Sequence, residues 1–216
     1  MRSSSRVLEV GCGTGAILSE LPDHPARHGL DIDASALTQC RVHVPSASLV
    51  QGDALQLPYA SWRFDIVYCH FLLLWVSDPL QALREMKRVS KPEAHVIAFA
   101  EPDYSERRDE PRELVPLGQW QTESLKRQGA DPALGGRLAD LFESAGIRLV
   151  ETGILQGTKD DPTAEEWELE WAVIETDLAG SVAREDIHKM KRLDQQAQAR
   201  GERVLHVPTY FAWGRA

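Results

Sequence analysis

The chain has 216 residues, 43% of them hydrophobic, and a formal net charge of -9. That apolar content suffices for one full core, while the acidic balance offers no electrostatic footprint for nucleic acid, whose binding rests on phosphate neutralisation. No apolar run approaches the roughly 18 residues of a membrane span, and no signal-peptide core opens the chain. Cys12, Cys40 and Cys69 are odd in number and lack metal-ligand spacing, so the expected setting is a reducing cytoplasm, with no disulfide and no bound metal.

The first predicted element is the run Arg6-Val7-Leu8-Glu9-Val10, a strand apolar enough to be covered on both faces. It runs into Gly11, Gly13 and Gly15, whose alternate spacing lets the backbone turn tightly and approach a ligand. Ala16 to Leu21 then reads as a short helix, so strand, loop and helix N-terminus form a cofactor cradle. Gly11-x-Gly13-x-x-Ala16 also satisfies the loose dinucleotide fingerprint, and the loop alone leaves the cofactor open. A second strand ends in Leu30-Asp31-Ile32-Asp33, with an acid about 20 residues beyond the loop, where a carboxylate meets ribose hydroxyls. Asp33 to about Val44 reads as a helix opened by Asp33 or Ser35. A third strand, Ala47 to Val50, leads into Gly52-Asp53-Ala54, and the fourth is Phe64 to His70.

Asp78-Pro79 places an N-cap before a proline at the first helical position. The stripe Leu80, Leu83 and Val89 follows until Lys91-Pro92 stops the helix, with Arg84, Lys87 and Arg88 on its solvated side. Ala94 to Ala100 is the fifth strand. Beyond it, Glu101-Pro102-Asp103-Tyr104 opens an irregular charged segment, Ser105 to Glu113, before a helix around Gly118 to Gln128. Arg137 to Ala145 is an amphipathic helix ended by Gly146. Arg148 to Leu155 is the sixth strand and Arg203 to Trp213 the seventh. Between them, Thr163 and Glu166 have capping-box spacing, and Trp167, Trp171, Ile174 and Leu178 share a face that reads as core. A more polar helix spans about Ala183 to Arg200.

The order and spacing of these pieces resemble the class I S-adenosylmethionine-dependent methyltransferases, in the small-molecule (UbiE-like, methyltransferase type 11) branch. The likeness runs from Val7 to about Ala100 and returns at Pro208 to Arg215. It implies an open, Rossmann-like α/β sheet of seven strands with helices on both faces. The first five strands should be parallel and the last antiparallel beside the fifth. It implies one domain over 1–216, with segments 101–135 and 160–200 as lids or insertions. Relatives usually carry a helical segment before the first strand; a late start, a truncated form and a cover built from these lids all stay open.

The cofactor implied is S-adenosylmethionine. By resemblance Glu9 orients the loop and the methionine amino group, Asp31 takes the ribose hydroxyls, and Asp53 accepts from the adenine amine beside the amide of Ala54. Gly11, Cys12, Gly13, Gly15, Ile32, Cys69 and His70 complete the expected cofactor set. These roles suit the ligand, because ionised carboxylates only accept hydrogen bonds. Methyl transfer is an in-line displacement, so positioning carries most of it, and a base is needed only when the acceptor is protonated. His70, after the fourth strand, and Glu101, after the fifth, are the catalytic candidates. The expected partner is a small-molecule methyl acceptor. A protein that binds the cofactor without turnover, as regulator or partner subunit, is the alternative, and a nicotinamide-dependent reductase a third reading.

Overall fold

The computed structural model describes residues 5–22, 26–155 and 163–216. In chain order the first half contains β1 (Val7–Val10), α1 (Ala16–Glu20), β2 (Arg27–Asp31), α2 (Ala34–His43), β3 (Ser48–Gln51) and β4 (Phe64–His70). Next come α3 (Pro79–Val89), β5 (Ser90–Pro102), β6 (Arg108–Glu110), α4 (Val115–Arg127) and α5 (Leu138–Ser144). The chain closes with β7 (Arg148–Ile154), α6 (Ala164–Leu178), α7 (Arg184–Ala199), β8 (Val204–His206) and β9 (Thr209–Arg215). These elements gather into two compact units. One is Met1–Pro102, Leu134–Leu155 and Thr209–Ala216; the other is Asp103–Ala133 and Gln156–Pro208.

The first unit is a seven-stranded sheet in the order β3-β2-β1-β4-β5-β9-β7. Strands β1 to β5 pair in parallel, and β9 runs antiparallel between β5 and β7. This is the expected Rossmann-like arrangement. Every residue of β1 is buried, the acid Glu9 together with the apolar Val7, Leu8 and Val10. Local signals start the helices where the sequence places them. Asp33, not Ser35, caps α2 by accepting from the Ser35 amide at 2.7 Å. Asp78 caps α3 by accepting from the Gln81 amide at 2.9 Å, with Pro79 at the first position. Strand order reverses between β1 and β4, so a crevice opens there at the carboxyl ends of the strands, where open α/β sheets bind ligands.

The second unit is built on α4, α6 and α7. Trp167, Trp171, Ile174 and Leu178 of α6 pack with Leu114, Leu117, Ile187 and Met190 into its own apolar core. The capping box of Thr163 and Glu166 starts α6. Residues 160–162, at the start of the expected insertion, lie outside the described residues. Two expectations are corrected here. The seventh strand predicted over Arg203 to Trp213 is two strands: β8 pairs antiparallel with β6 in the second unit, while β9 joins the main sheet. Pro208 separates them because it has no amide to donate, and its carbonyl accepts instead from the Asp103 amide at 2.8 Å. β6 itself falls in the segment expected to be irregular; its partner lies some ninety residues away, beyond any local pattern. Among the described residues no helix is long and apolar enough to cross a membrane.

Candidate functional site

The site grows from the reversal point between β1 and β4. After β1 the chain bends through Gly11 at φ 75° and Gly13 at φ 50°. The Gly11 and Cys12 amides donate to the Leu30 carbonyl at 2.7 and 2.9 Å, which ties the loop to the end of β2. A Cβ on Gly11 would lie 2.6 Å from the Leu72 side chain, so the loop meets the segment after β4 only because this residue has none. Gly13 faces the opposite situation: a Cβ there would meet nothing within 4 Å. The backbone is therefore bare where a ligand could lie against it.

Asp31 and Asp53 both line the cavity that opens here, with Gly11, Ile32, Ala54 and Leu72 among its walls. Asp31 Oδ2 accepts from the Gly13 amide at 2.7 Å and Oδ1 from the Asp33 amide at 2.9 Å. One carboxylate thus sets the glycine loop and the start of α2 together, and each oxygen keeps a lone pair for a further donor. Asp53 Oδ1 accepts from the Leu55 amide at 2.8 Å, and Oδ2 has no partner among the described residues. Ile32 is 69% exposed at the rim, an apolar surface of the sort a bound ring would cover.

Glu9 lies beneath the loop rather than in the cavity lining. It is buried, and its Oε2 accepts from the Tyr68 hydroxyl at 2.9 Å. Burial, with a smaller contribution from the Asp31 charge, pushes its carboxyl up to about 7. Cys12 packs its thiol against Leu18, Leu37, Cys40 and Val44, and Cys69 is fully buried. Neither thiol reaches the cavity, and burial pushes both thiols far up, away from thiolate chemistry.

The two catalytic candidates separate sharply. Glu101 is 0% exposed. Its Oε1 accepts from the Leu72 and Leu73 amides at 3.0 and 2.9 Å, and Oε2 from the Leu74 amide at 3.3 Å. Ala100, at φ 54°, breaks the β5 register and turns Glu101 onto this segment. Glu101 is therefore a positioning residue that holds the turn after β4, in place of the acid–base role expected of it. His70 is half-buried, and its imidazole makes no hydrogen bond to any described residue. Burial lowers its pKa, so the imidazole is neutral and its lone pair available. Phe71, at φ 52°, and Trp75 follow it as an edge-to-face pair with centroids 6.2 Å apart.

Of the predicted cofactor set, the cavity lining gathers Gly11, Asp31, Ile32, Asp53 and Ala54. Gly13, Gly15, Glu9, Cys12, Cys69 and His70 are outside it. Sequence reading missed Leu72, Val76 and Ser77, which line the cavity from the segment after β4. The one signal for them was position: they follow a strand whose carboxyl end faces the reversal point.

Residues 8–98 match the family model described as a methyltransferase domain. Over that stretch the chain resembles the class I S-adenosylmethionine-dependent methyltransferases. The methyltransferase match covers the glycine loop, both cavity carboxylates and His70. An uncharacterized methyltransferase of Schizosaccharomyces pombe is 33% identical over 110 residues, covering 44% of this chain and 40% of that protein. A demethylmenaquinone methyltransferase of Shouchella clausii is 35% identical over 108 residues, 46% of each. The chain thus spans less than half the length of these curated relatives. A solved structure from Bacillus halodurans C-125 matches 100% of this chain and 94% of its own, with a TM-score of 0.68 at 16% identity, which establishes a shared methyltransferase-type fold.

Proposed function

We propose that this chain binds S-adenosylmethionine in the cavity between Asp31 and Asp53 and transfers its methyl group to a small-molecule acceptor. The observation that carries the reading is that two carboxylates, Asp31 and Asp53, line one cavity together with Gly11 of the glycine loop. Bound there, the cofactor supplies a methyl group on a sulfonium, ready for in-line displacement. Asp31 would take the ribose hydroxyls with the lone pairs left free by the Gly13 and Asp33 amides. Asp53 Oδ2 would accept from the adenine amine, and Ile32 would cover one face of the nucleoside. The demethylmenaquinone relative supports a small-molecule acceptor. For an acceptor that carries a proton on its nucleophile, His70 would take it; the downward shift that burial gives its imidazole supports this role. The buried thiols Cys12, Cys40 and Cys69 fit a reducing compartment such as the cytoplasm.

Calorimetric titration with S-adenosylmethionine, S-adenosylhomocysteine and NAD tests the reading. Binding of the first two without the third is expected; binding of NAD alone would overturn it. Asp31→Ala is expected to weaken S-adenosylhomocysteine binding by about 1 to 3 kcal/mol, because ribose donors go unpaired and the loop loses its anchor. An unchanged dissociation constant would defeat the ribose assignment. Asp53→Ala should cost less and narrow the preference for adenosine over inosine analogues, and an unaltered preference after the substitution would argue against the adenine contact.

A further inference from the structure

The second unit holds a cavity of about 510 Å³ whose lining shares no residue with that of the cavity at Asp31 and Asp53. Its volume falls within the range of small-molecule sites. The turn after β5 and one side of α4 form its walls, among them Tyr104, Arg107, Asp109, Val115 and Gly118. Arg107 and Asp109 stand out because their side chains are only 6% and 4% exposed. Arg107 Nε and Nη2 donate to the two Asp109 oxygens at 2.7 and 3.0 Å. Asp109 also accepts from Arg203 Nη2 at 3.2 Å, and Arg203 Nε donates to Asp194. Asp194 in turn accepts from the indoles of Trp167 and Trp171 at 2.7 and 2.9 Å. Two cations and two anions form a chain that is neutral as a whole, anchored at one end in the apolar core and open to the cavity at the other.

Gly118 belongs to the same construction. A Cβ at this position would collide with the Asp109 carboxylate and the Arg107 guanidinium, so α4 can rest on the pair only through a residue without a side chain. Two polar ends at the cavity are left without a partner among the described residues: Arg107 Nη1 and the Tyr104 hydroxyl. Neither atom is sealed inside the fold, so both are donors that a molecule in the cavity could engage in place of solvent. Val115 and the Tyr104 ring supply apolar wall beside them.

We propose that this cavity is a binding site for a small neutral molecule whose carbonyl or amide oxygen accepts from Arg107 Nη1 and the Tyr104 hydroxyl. Neutrality follows from the charges around it. The Arg107 cation is already matched by Asp109, so an anionic ligand would face that carboxylate with no free cation to offset it. Glu123 at the rim is matched in the same way by Lys126 at 2.6 Å, so the rim offers no free cation either. The inference concerns the second unit alone and does not depend on methyl transfer.

Benzamide and benzoate share a shape and differ in charge, which makes them suitable probes. Titrated into the full chain by ligand-observed NMR, benzamide is expected to bind at least about tenfold more tightly than benzoate. Val115→Trp fills the cavity from a partly exposed wall and leaves the ion-pair chain intact. It should lower benzamide affinity by about tenfold with the melting temperature retained. Tyr104→Phe removes one donor and should lower it by about threefold. Benzoate binding as tightly as benzamide, benzamide affinity untouched by Val115→Trp, or no saturable binding of benzamide would each overturn the assignment.

Discussion

Replacing Glu9 with glutamine is expected to stabilise the unliganded protein above neutral pH, by about 3 kcal/mol, while leaving its stability in acid nearly unchanged. The folded chain holds the Glu9 carboxyl at about 7, against 4.5 for an ordinary glutamate. A raised value means that the folded state binds this proton more tightly than the unfolded state does. Stability from Glu9 is then complete below about 4.5, declines as the pH rises, and is lost above about 7. Glutamine is neutral throughout and keeps an oxygen for the Tyr68 hydroxyl, so wild type and variant should diverge only within that window. Urea unfolding at a series of pH values reads the divergence directly. A gap between the two proteins that stays constant with pH would sink the attribution to Glu9.

The same substitution should have the opposite effect on the proposed cofactor. S-adenosylmethionine carries a sulfonium and an ammonium, and a buried carboxylate beneath the glycine loop is charged at a cost that such a ligand offsets. Wild-type affinity is therefore expected to fall as the pH drops below about 7, where Glu9 takes up its proton. In Glu9→Gln the affinity should be weaker and nearly independent of pH across this range. Stability and binding draw on one carboxylate in opposite senses, a trade-off typical of functional sites.

Glu101→Gln is expected to destabilise the protein by about 3 kcal/mol. The carboxylate accepts from three consecutive amides, those of Leu72, Leu73 and Leu74. A glutamine offers one accepting oxygen and turns an NH₂ group towards a donor, so at least one buried amide loses its partner. The effect should be concentrated in the turn after β4. Hydrogen exchange at the amides of residues 72–74 is expected to accelerate far more than exchange in β1 or β4. Leu72 lines the cavity and packs where a Gly11 Cβ would otherwise lie, so S-adenosylhomocysteine affinity should fall along with the turn's order. Undiminished protection of those three amides would show that Glu101 does not hold the turn.

The contrast between Asp31 and Glu101 shows how far reading residues in order can reach. Both are acids in the last two positions of a strand, at the carboxyl edge of the same sheet. Asp31 stands in a short-range pattern, about 20 residues beyond a glycine loop, and its partners Gly13 and Asp33 lie within that pattern. Glu101 stands at the end of its strand in the same way, but its partners sit on the segment after a different strand and are backbone amides, which leave no mark in residue types. Position therefore suggested chemistry where the fold uses the carboxylate as a brace.

By itself the sequence determined what depends on near neighbours: the buried β1, the bends at Gly11 and Gly13, the caps at Asp33, Asp78 and Thr163, and the acids at positions 31 and 53. These follow from hydrophobic period, backbone sterics and hydrogen bonds spanning a few residues. Tertiary structure alone decided the burial of Glu101, the presence of Leu72, Val76 and Ser77 in the cavity, the pairing of β6 with β8, and the chain of charges from Arg107 to Asp194. Each of these joins groups far apart along the chain, where no periodicity operates.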